Sequence, residues 1–286
     1  MNDLPLICIQ NVSFTYANGT RALKHVNLRI NKGELIAIMG PNGAGKTTLI
    51  RLLNGLLRPT EGNVFIEGKN ARNKTIAELS KKVGIIFQNP SHQLFSATVE
   101  QEIIFSLKNL GLNKEEIRTK KDEILHEFGF EKYKERSPLT LSGGEAKKLA
   151  LASIVCRDPE IIVFDEPTLG QDAKEIEFFI KLIKEERKKE KTIIIVTHDI
   201  EFALEHAPRV ILMANGTIMA DGPATGILVN EYLVKLSSLI LPQLYQYKKG
   251  LIEMGFKVPE NLLRLSEFKE FLSKLFNSKL KDKVVT

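Results

Sequence analysis

The sequence predicts an α/β protein built on a largely parallel sheet, and three features carry that prediction. Short, almost wholly apolar runs occur at 83–87, 161–164 and Thr192–Val196, the pattern of strands buried on both faces. The last two flank a long charged and apolar segment, 173–189, with helical periodicity, so the order is strand, helix, strand. A glycine-rich turn follows another apolar run, Leu35–Met39, and opens an amphipathic segment, 45–56. The composition agrees with a folded chain: of 286 residues, 43% are hydrophobic and 27% charged, which excludes a disordered or collagen-like polymer. That length allows one or two domains at roughly 150 residues each.

Taken in order, residues 6–14 alternate as a strand, and Val26, Leu28 and Ile30 mark a second. The turn Asn31-Lys32-Gly33 leads into Leu35–Met39. Gly62 and Gly68 enclose a short strand, 63–67. From 96 to 156 the apolar residues take helical spacing, as in Ile117, Ile124, Leu125 and Phe128, with Gly129 and Pro138 as breaks. After the 192–196 strand, 210–213 and 217–220 flank Asn215-Gly216, a hairpin signal. The core is expected to end near 235. The tail is helical and amphipathic, closing with a helix capped by Ser266 whose apolar face is Phe268, Phe271, Leu272, Leu275 and Phe276.

The formal charge of +6 would suit nucleotide phosphates, an anionic membrane or nucleic acid. Most basic residues are interleaved with acids, however, as in 184–190, which reads as a solvated helix face. Two cysteines, Cys8 and Cys156, sit far apart in apolar stretches and predict a reducing compartment rather than a disulfide framework. No apolar run reaches the ~18 residues of a membrane span, and no secretory leader is visible.

The turn Gly40-Pro41-Asn42-Gly43-Ala44-Gly45-Lys46-Thr47 fits G-x-x-x-x-G-K-[ST] in the strand-to-helix context that its mechanism requires. Its glycines let backbone N–H groups converge on phosphate, and the helix N-terminus adds positive potential. Lys46 is placed to neutralise β- and γ-phosphate charge, and Thr47 to offer a hydroxyl to Mg²⁺. The 161–164 strand ends in Asp165-Glu166, and strands of a parallel sheet present their C-terminal ends on one ligand-binding edge. Asp165 is therefore expected near Thr47 as a second Mg²⁺ group, with Glu166 orienting or deprotonating water; N-capping is the structural alternative for both. Leu141-Ser142-Gly143-Gly144-Glu145 precedes a helix expected at 147–156, forming a second anion cradle. One nucleotide needs one cradle, so the second is explained if it serves a nucleotide held by another subunit.

These motifs, in this order over about 6–230, resemble the nucleotide-binding subunit of ATP-binding cassette (ABC) transporters. The resemblance implies a P-loop NTPase (RecA-like) core with an antiparallel β subdomain and a helical subdomain at about 89–157. On this reading 1–235 form the ATPase domain and 236–286 a C-terminal extension that helps two ATPases pair, with packing of its amphipathic helices on the chain's own core as the alternative. Tyr16 would stack on adenine, with packing of its hairpin as the alternative. Asn42, Gly43, Ala44, Gly45, Lys46, Thr47 and Thr48 would bind ATP, and Thr47, Gln88 and Asp165 would hold Mg²⁺. The resemblance makes Glu166, His198, Lys46 and Gln88 the catalytic set, with His198 on the γ-phosphate and Gln88 sensing metal and water. Ser142, Gly143 and Gly144 would close over the ATP of the partner subunit.

The run Phe87-Gln88-Asn89-Pro90-Ser91-His92-Gln93-Leu94-Phe95 is similar to that of energy-coupling factor (ECF) transporter ATPases, including the cobalt/nickel type. Leu241-Pro242-Gln243-Leu244 and 254–259 resemble the C-terminal extension of that group. The implied partners are a second ATPase (identical or paralogous), a transmembrane T-type coupling subunit and a substrate-binding membrane subunit, with no nucleic acid. The implied location is the cytoplasmic face of the cell membrane. A generic transporter ATPase and a non-transport family member acting on nucleic acid or the ribosome are the alternatives. Members of the latter kind carry a long coiled-coil insertion or a second cassette, whereas this sequence has a compact helical stretch between its motifs and one cassette. Departures are Glu145 in place of glutamine, Ala146-Lys147-Lys148 in place of a Gln/Arg run, and Leu169-Gly170-Gln171-Asp172 in the turn before the long helix.

Overall fold

The computed structural model describes residues 4–259, 262–265 and 267–274. The chain opens with β1 (Ile7–Thr15) and β2 (Arg21–Ile30), then β3 (Leu35–Met39) runs into α1 (Lys46–Leu53). β4 (Glu61–Ile66), β5 (Lys69–Asn70), α2 (Ile76–Lys82) and β6 (Val83–Ile86) follow. The helical stretch contains α3 (Val99–Lys108), α4 (Lys114–Glu127) and α5 (Gly143–Val155). Next come β7 (Ile161–Asp165), α6 (Ala173–Lys188), β8 (Thr192–Val196), α7 (Ile200–His206), β9 (Arg209–Ala214) and β10 (Thr217–Pro223). The tail adds α8 (Ala224–Ile227), α9 (Glu231–Leu236) and α10 (Gln243–Glu253). Residues 267–274 are helical; Ser266, Leu275 and Phe276 of the expected last helix lie outside the described residues.

Two sheets organise these elements. One is antiparallel, in the order β2-β1-β4-β5; the other runs β10-β9-β3-β8-β7-β6, parallel except for β10. Successive side chains of a strand face opposite sides, and that alternation divides the apolar residues between separate cores. Ile36, Ile38, Val163, Ile194 and Val196 face the antiparallel sheet and α1, whereas Ile162, Phe164, Ile193 and Ile195 face α3, α5 and α6. Ala37, Met39, Val210 and Leu212 pack under α7 and α8, where Leu239, Tyr245 and Leu263 of the tail join them.

Two helices differ from the sequence expectation, each for a local reason. The helix after the glycine-rich turn stops at Leu53, three residues early, because Asn54 caps it and Gly55 turns left-handed at φ +76°. The helix expected from 147 starts at Gly143 instead. Ser142 accepts a hydrogen bond from the Glu145 amide while the Glu145 carboxylate accepts from the Ser142 amide, a reciprocal cap that starts the helix.

Strand order fixes where the loops converge. In the register, Val196 of β8 lies opposite both Ile38 of β3 and Asp165 of β7, so three chain segments leave the sheet at one level. Gly40 makes the first of these exits, at φ +145°. A Cβ there would lie 2.0 Å from the Met213 carbonyl oxygen of β9, which a sheet strand cannot yield. Gly40→Ala is expected to destabilise the protein by about 3 kcal/mol through overpacking and backbone strain. A urea melt checks this; a midpoint within error of wild type would show that β9 moves freely.

Candidate functional site

The site begins where β3 hands over to α1. Asn42 and Gly43 are exposed at the tip of the loop, Ala44 is buried, and Gly45 turns at φ +97° against the Ala22 carbonyl. Lys46 is only 7% exposed, and its ammonium donates to the carbonyls of Gly40 (2.6 Å) and Pro41 (3.0 Å). Burial pushes that ammonium below the usual lysine range, while Glu166 and Asp165 pull it back up. Tyr16 is half-buried, edge-on to Phe14 at 4.8 Å, with its hydroxyl 2.9 Å from that of Thr48. The hairpin packing weighed as an alternative for Tyr16 is therefore present, and Thr48 is engaged by it.

At the end of β7, Asp165 lies beside α1. Thr47 Oγ1 donates to Asp165 Oδ2 at 3.5 Å, joining residues 118 positions apart. Burial raises the Asp165 pKa above the usual carboxylate range, and the neighbouring Glu166 raises it further. Arg51, Lys46 and Thr47 only partly offset this. Hydroxyl and carboxylate oxygens beside an undercompensated negative charge fit a hard cation such as Mg²⁺, which takes its remaining ligands from water and phosphate.

Glu166 sits at φ +51°, left-handed for a residue with a side chain, and its amide donates to the Val196 carbonyl at 2.8 Å. Its Oε2 is buried and accepts no aligned hydrogen bond, although His198 Nδ1 is 2.9 Å away. His198 follows β8 and its ring is exposed. The geometry is that of a sequestered carboxylate with free acceptor capacity next to an accessible imidazole.

The other predicted residues make no hydrogen bond to this cluster within the chain, although Ser142 and Gly144 line one cavity with Asp165. Gln88, two residues beyond β6, is exposed and hydrogen-bonds neither Thr47 nor Asp165. Ser142 and Gly143 are exposed at the start of α5, and the Ser142 hydroxyl donates to Glu145 at 2.9 Å. That hydrogen bond and the Ser142 amide hold the Glu145 carboxyl below its usual range, the amide contributing most. Gly144 lies tight against Glu175 of α6.

Three contacts were not anticipated. Gln93 donates from Nε2 to the Ala150 carbonyl (2.8 Å) and the Ser153 hydroxyl (2.9 Å), tying the segment after Gln88 to α5. Glu102, almost fully buried, accepts the amides of Phe95 and Ser96. Lys147 points inward and donates to the Leu169 carbonyl at 2.9 Å. Burial lowers its pKa, against the attraction of Glu175 and Glu166. Its helical spacing from buried Ala150 and Leu151 was the available signal.

Comparison with known proteins places this geometry. The ABC transporter family model matches residues 23–169. The energy-coupling factor transporter ATP-binding protein EcfA of Methanothermobacter thermautotrophicus is 37% identical over 269 residues, 93% of this chain and 86% of that protein. A Methanosarcina acetivorans relative, also 37% identical, is longer, and the chain spans 44% of it. CbiO1 from Clostridium perfringens, part of the ABC transporter complex CbiONQ, superposes with a TM-score of 0.72 at 33% identity, covering 86% of this chain and all of that one. The ATP-binding cassette MJ0796, as a dimer bound to ADP and Pi, matches with a TM-score of 0.68 at 32% identity, over 76% and 98% of the two chains.

Because folding raises the Asp165 pKa, the ionised carboxylate opposes folding at neutral pH, and the penalty disappears as acid protonates it. Asp165→Asn should therefore raise Tm by a few degrees near neutrality and leave it unchanged at about pH 3, below the unfolded carboxylate's pKa, where both states are protonated. Calorimetry at both pH values checks this, and an unchanged or lower Tm at neutral pH would mean the charge is fully compensated.

Proposed function

The chain belongs to the ABC transporter family, and on that premise we propose that it is the ATP-binding and hydrolysing subunit energising an ECF-type importer of a micronutrient. The observation that carries the reading is the register of β3, β8 and β7. It draws a phosphate-type loop, a Thr47–Asp165 pair and a Glu166–His198 pair to one sheet edge.

In this reading ATP lies on the loop from Asn42 through Gly43, Ala44, Gly45, Lys46, Thr47 and Thr48, with Tyr16 beside the base. Lys46 exchanges loop carbonyls for phosphate oxygens, a stronger charge-assisted partner. Thr47 and Asp165 would hold Mg²⁺, with Gln88 assigned to it by resemblance; the ion would neutralise phosphate charge. Glu166 takes a proton from water at Oε2, the oxygen without an aligned donor, and His198 holds the γ-phosphate and that water in place. Backbone N–H groups of the loop and Lys46 stabilise the charge that develops.

Within the chain the Ser142 hydroxyl is bonded to Glu145 rather than to Lys46, Thr47 or Glu166, and we assign Ser142, Gly143 and Gly144 to the ATP of a second ATPase subunit, identical or paralogous. The dimeric state of the MJ0796 cassette supports pairing. Pairing closes two sites at once, and hydrolysis removes the ligand that bridges them. Gln93 then provides a physical link between the Gln88 segment and α5. The same segment carries Phe95, 67% exposed and edge-on to Phe105 at 4.7 Å, an apolar surface for the membrane coupling subunit. A substrate-binding membrane subunit completes the complex, on whose cytoplasmic face this chain sits. No described helix is long and apolar enough to cross a membrane. The division is 1–235 for the ATPase domain and 236–286 for an extension that aids pairing. The cargo, a transition-metal ion such as cobalt or nickel or a vitamin, is met by the membrane subunits.

Glu166→Gln should retain ATP binding while lowering turnover by about 10²–10⁴-fold, the share of a general base. A phosphate-release assay decides this, and turnover near wild type removes Glu166 from the role. Ser142→Arg should abolish ATP-dependent dimerisation in light scattering while leaving ATP bound to the loop. Dimers that persist in the variant would refute a site shared between subunits.

A further inference from the structure

We propose that Lys147 is a positioning residue through which α5 sets the backbone of the general base in its own subunit. Engagement of Ser142 and Gly144 by the partner's nucleotide is thereby felt at Glu166. The inference rests on the reading of Glu166 given above and goes further, because it assigns the coupling between the two sites to one side chain.

Lys147 lies on the turn of α5 directly after Ser142–Gly144 and is only 7% exposed. Its ammonium donates to the Leu169 carbonyl at 2.9 Å and reaches the Glu166 carbonyl at 3.5 Å. These two carbonyls bracket the turn that follows the base, and the Leu169 amide closes that turn on the Glu166 carbonyl at 3.4 Å. Glu166 holds a left-handed φ that a residue with a side chain adopts only when its surroundings impose it. On one side β8 imposes it, through the Val196 carbonyl; on the other the contact comes from Lys147. Burying an ammonium against carbonyls is a poor way to stabilise a core, where an apolar side chain of similar length costs less. What the lysine adds is a directional tether.

The tether joins α5 to the turn, and α6 joins it from the other side. A Cβ on Gly144 would fall 1.5 Å from Glu175 Oε1, so the start of α5 bears directly on the first turn of α6. Glu175 also accepts the amide of Asp172, where the turn from Glu166 ends. The turn is thus held by α5 at Lys147 and by α6 at Asp172. Ser142, Gly144, Lys147 and Asp165 line one cavity of about 260 Å³, so the start of α5 and the end of β7 border the same space.

The test compares full-length wild type with Lys147→Met, Lys147→Gln and Lys147→Arg for ATP turnover, ATP affinity and Tm, with Glu166→Gln alongside. Lys147→Met should lower kcat by about 10²-fold, the effect of a misplaced catalytic group, with KM for ATP and Tm essentially unchanged. Lys147→Arg, which keeps the donor, should recover most of the loss, and Lys147→Gln should fall between. Wild-type kcat in Lys147→Met overturns the proposal, as does a kcat loss that Lys147→Arg does not relieve or that tracks a fall in Tm. If wild type fails to hydrolyse ATP, or Glu166→Gln hydrolyses it normally, the assignment of the base falls first and this inference with it.

Discussion

The hydrogen bonding of β8 between β3 and β7 is the constraint on which the rest depends. Val196 is matched to Ile38 on one side and to Asp165 on the other. Its carbonyl also receives the amide of Glu166, so the strained residue is anchored to the same strand that leads to His198. A slip of one residue would turn every side chain of β8 to the opposite core. It would also separate the carboxylate from the imidazole. Apolar packing on both faces of β8 thus sets the geometry of the polar groups at its end.

Those polar groups are individually unfavourable and collectively tolerable. Burial disfavours the charged forms of Lys46, Asp165 and Lys147, and each is partly compensated by opposite charge nearby. The set is compact, with positive groups contributed by α1 and α5 and negative ones by the end of β7. Groups held in this way sit in a low-dielectric surrounding, where they act on one another more strongly than they would in water. The stability forgone at the site is supplied by the fully buried strands beneath it, in keeping with the strain and unsatisfied acceptors found at functional sites.

Much of this was legible because it is written locally. The boundaries of Leu35–Met39 and Thr192–Val196 were read from apolar runs alone, and the structure keeps both. The sequence also placed Asp165 near Thr47, since parallel strands deliver their ends to one edge, and the 3.5 Å contact follows. α5 starts four residues before the expected 147 because Ser142 and Glu145, which also fit an anion cradle, form a reciprocal cap. Tyr16 shows the reverse, a residue assigned by resemblance whose packing on Phe14 and bond to Thr48 also serve the fold.

By itself the sequence determined the fold class, the glycine-rich loop with its lysine and threonine, and the Asp165-Glu166 pair. Each of these is set by backbone conformation and apolar periodicity within a few residues. Only the tertiary structure decided that β8 separates β3 from β7, that Gln93 is moored to α5, and that Lys147 turns inward to Glu166 and Leu169. Strand order and the direction of a long charged side chain depend on which distant surfaces pack together, and no local pattern of residues encodes that.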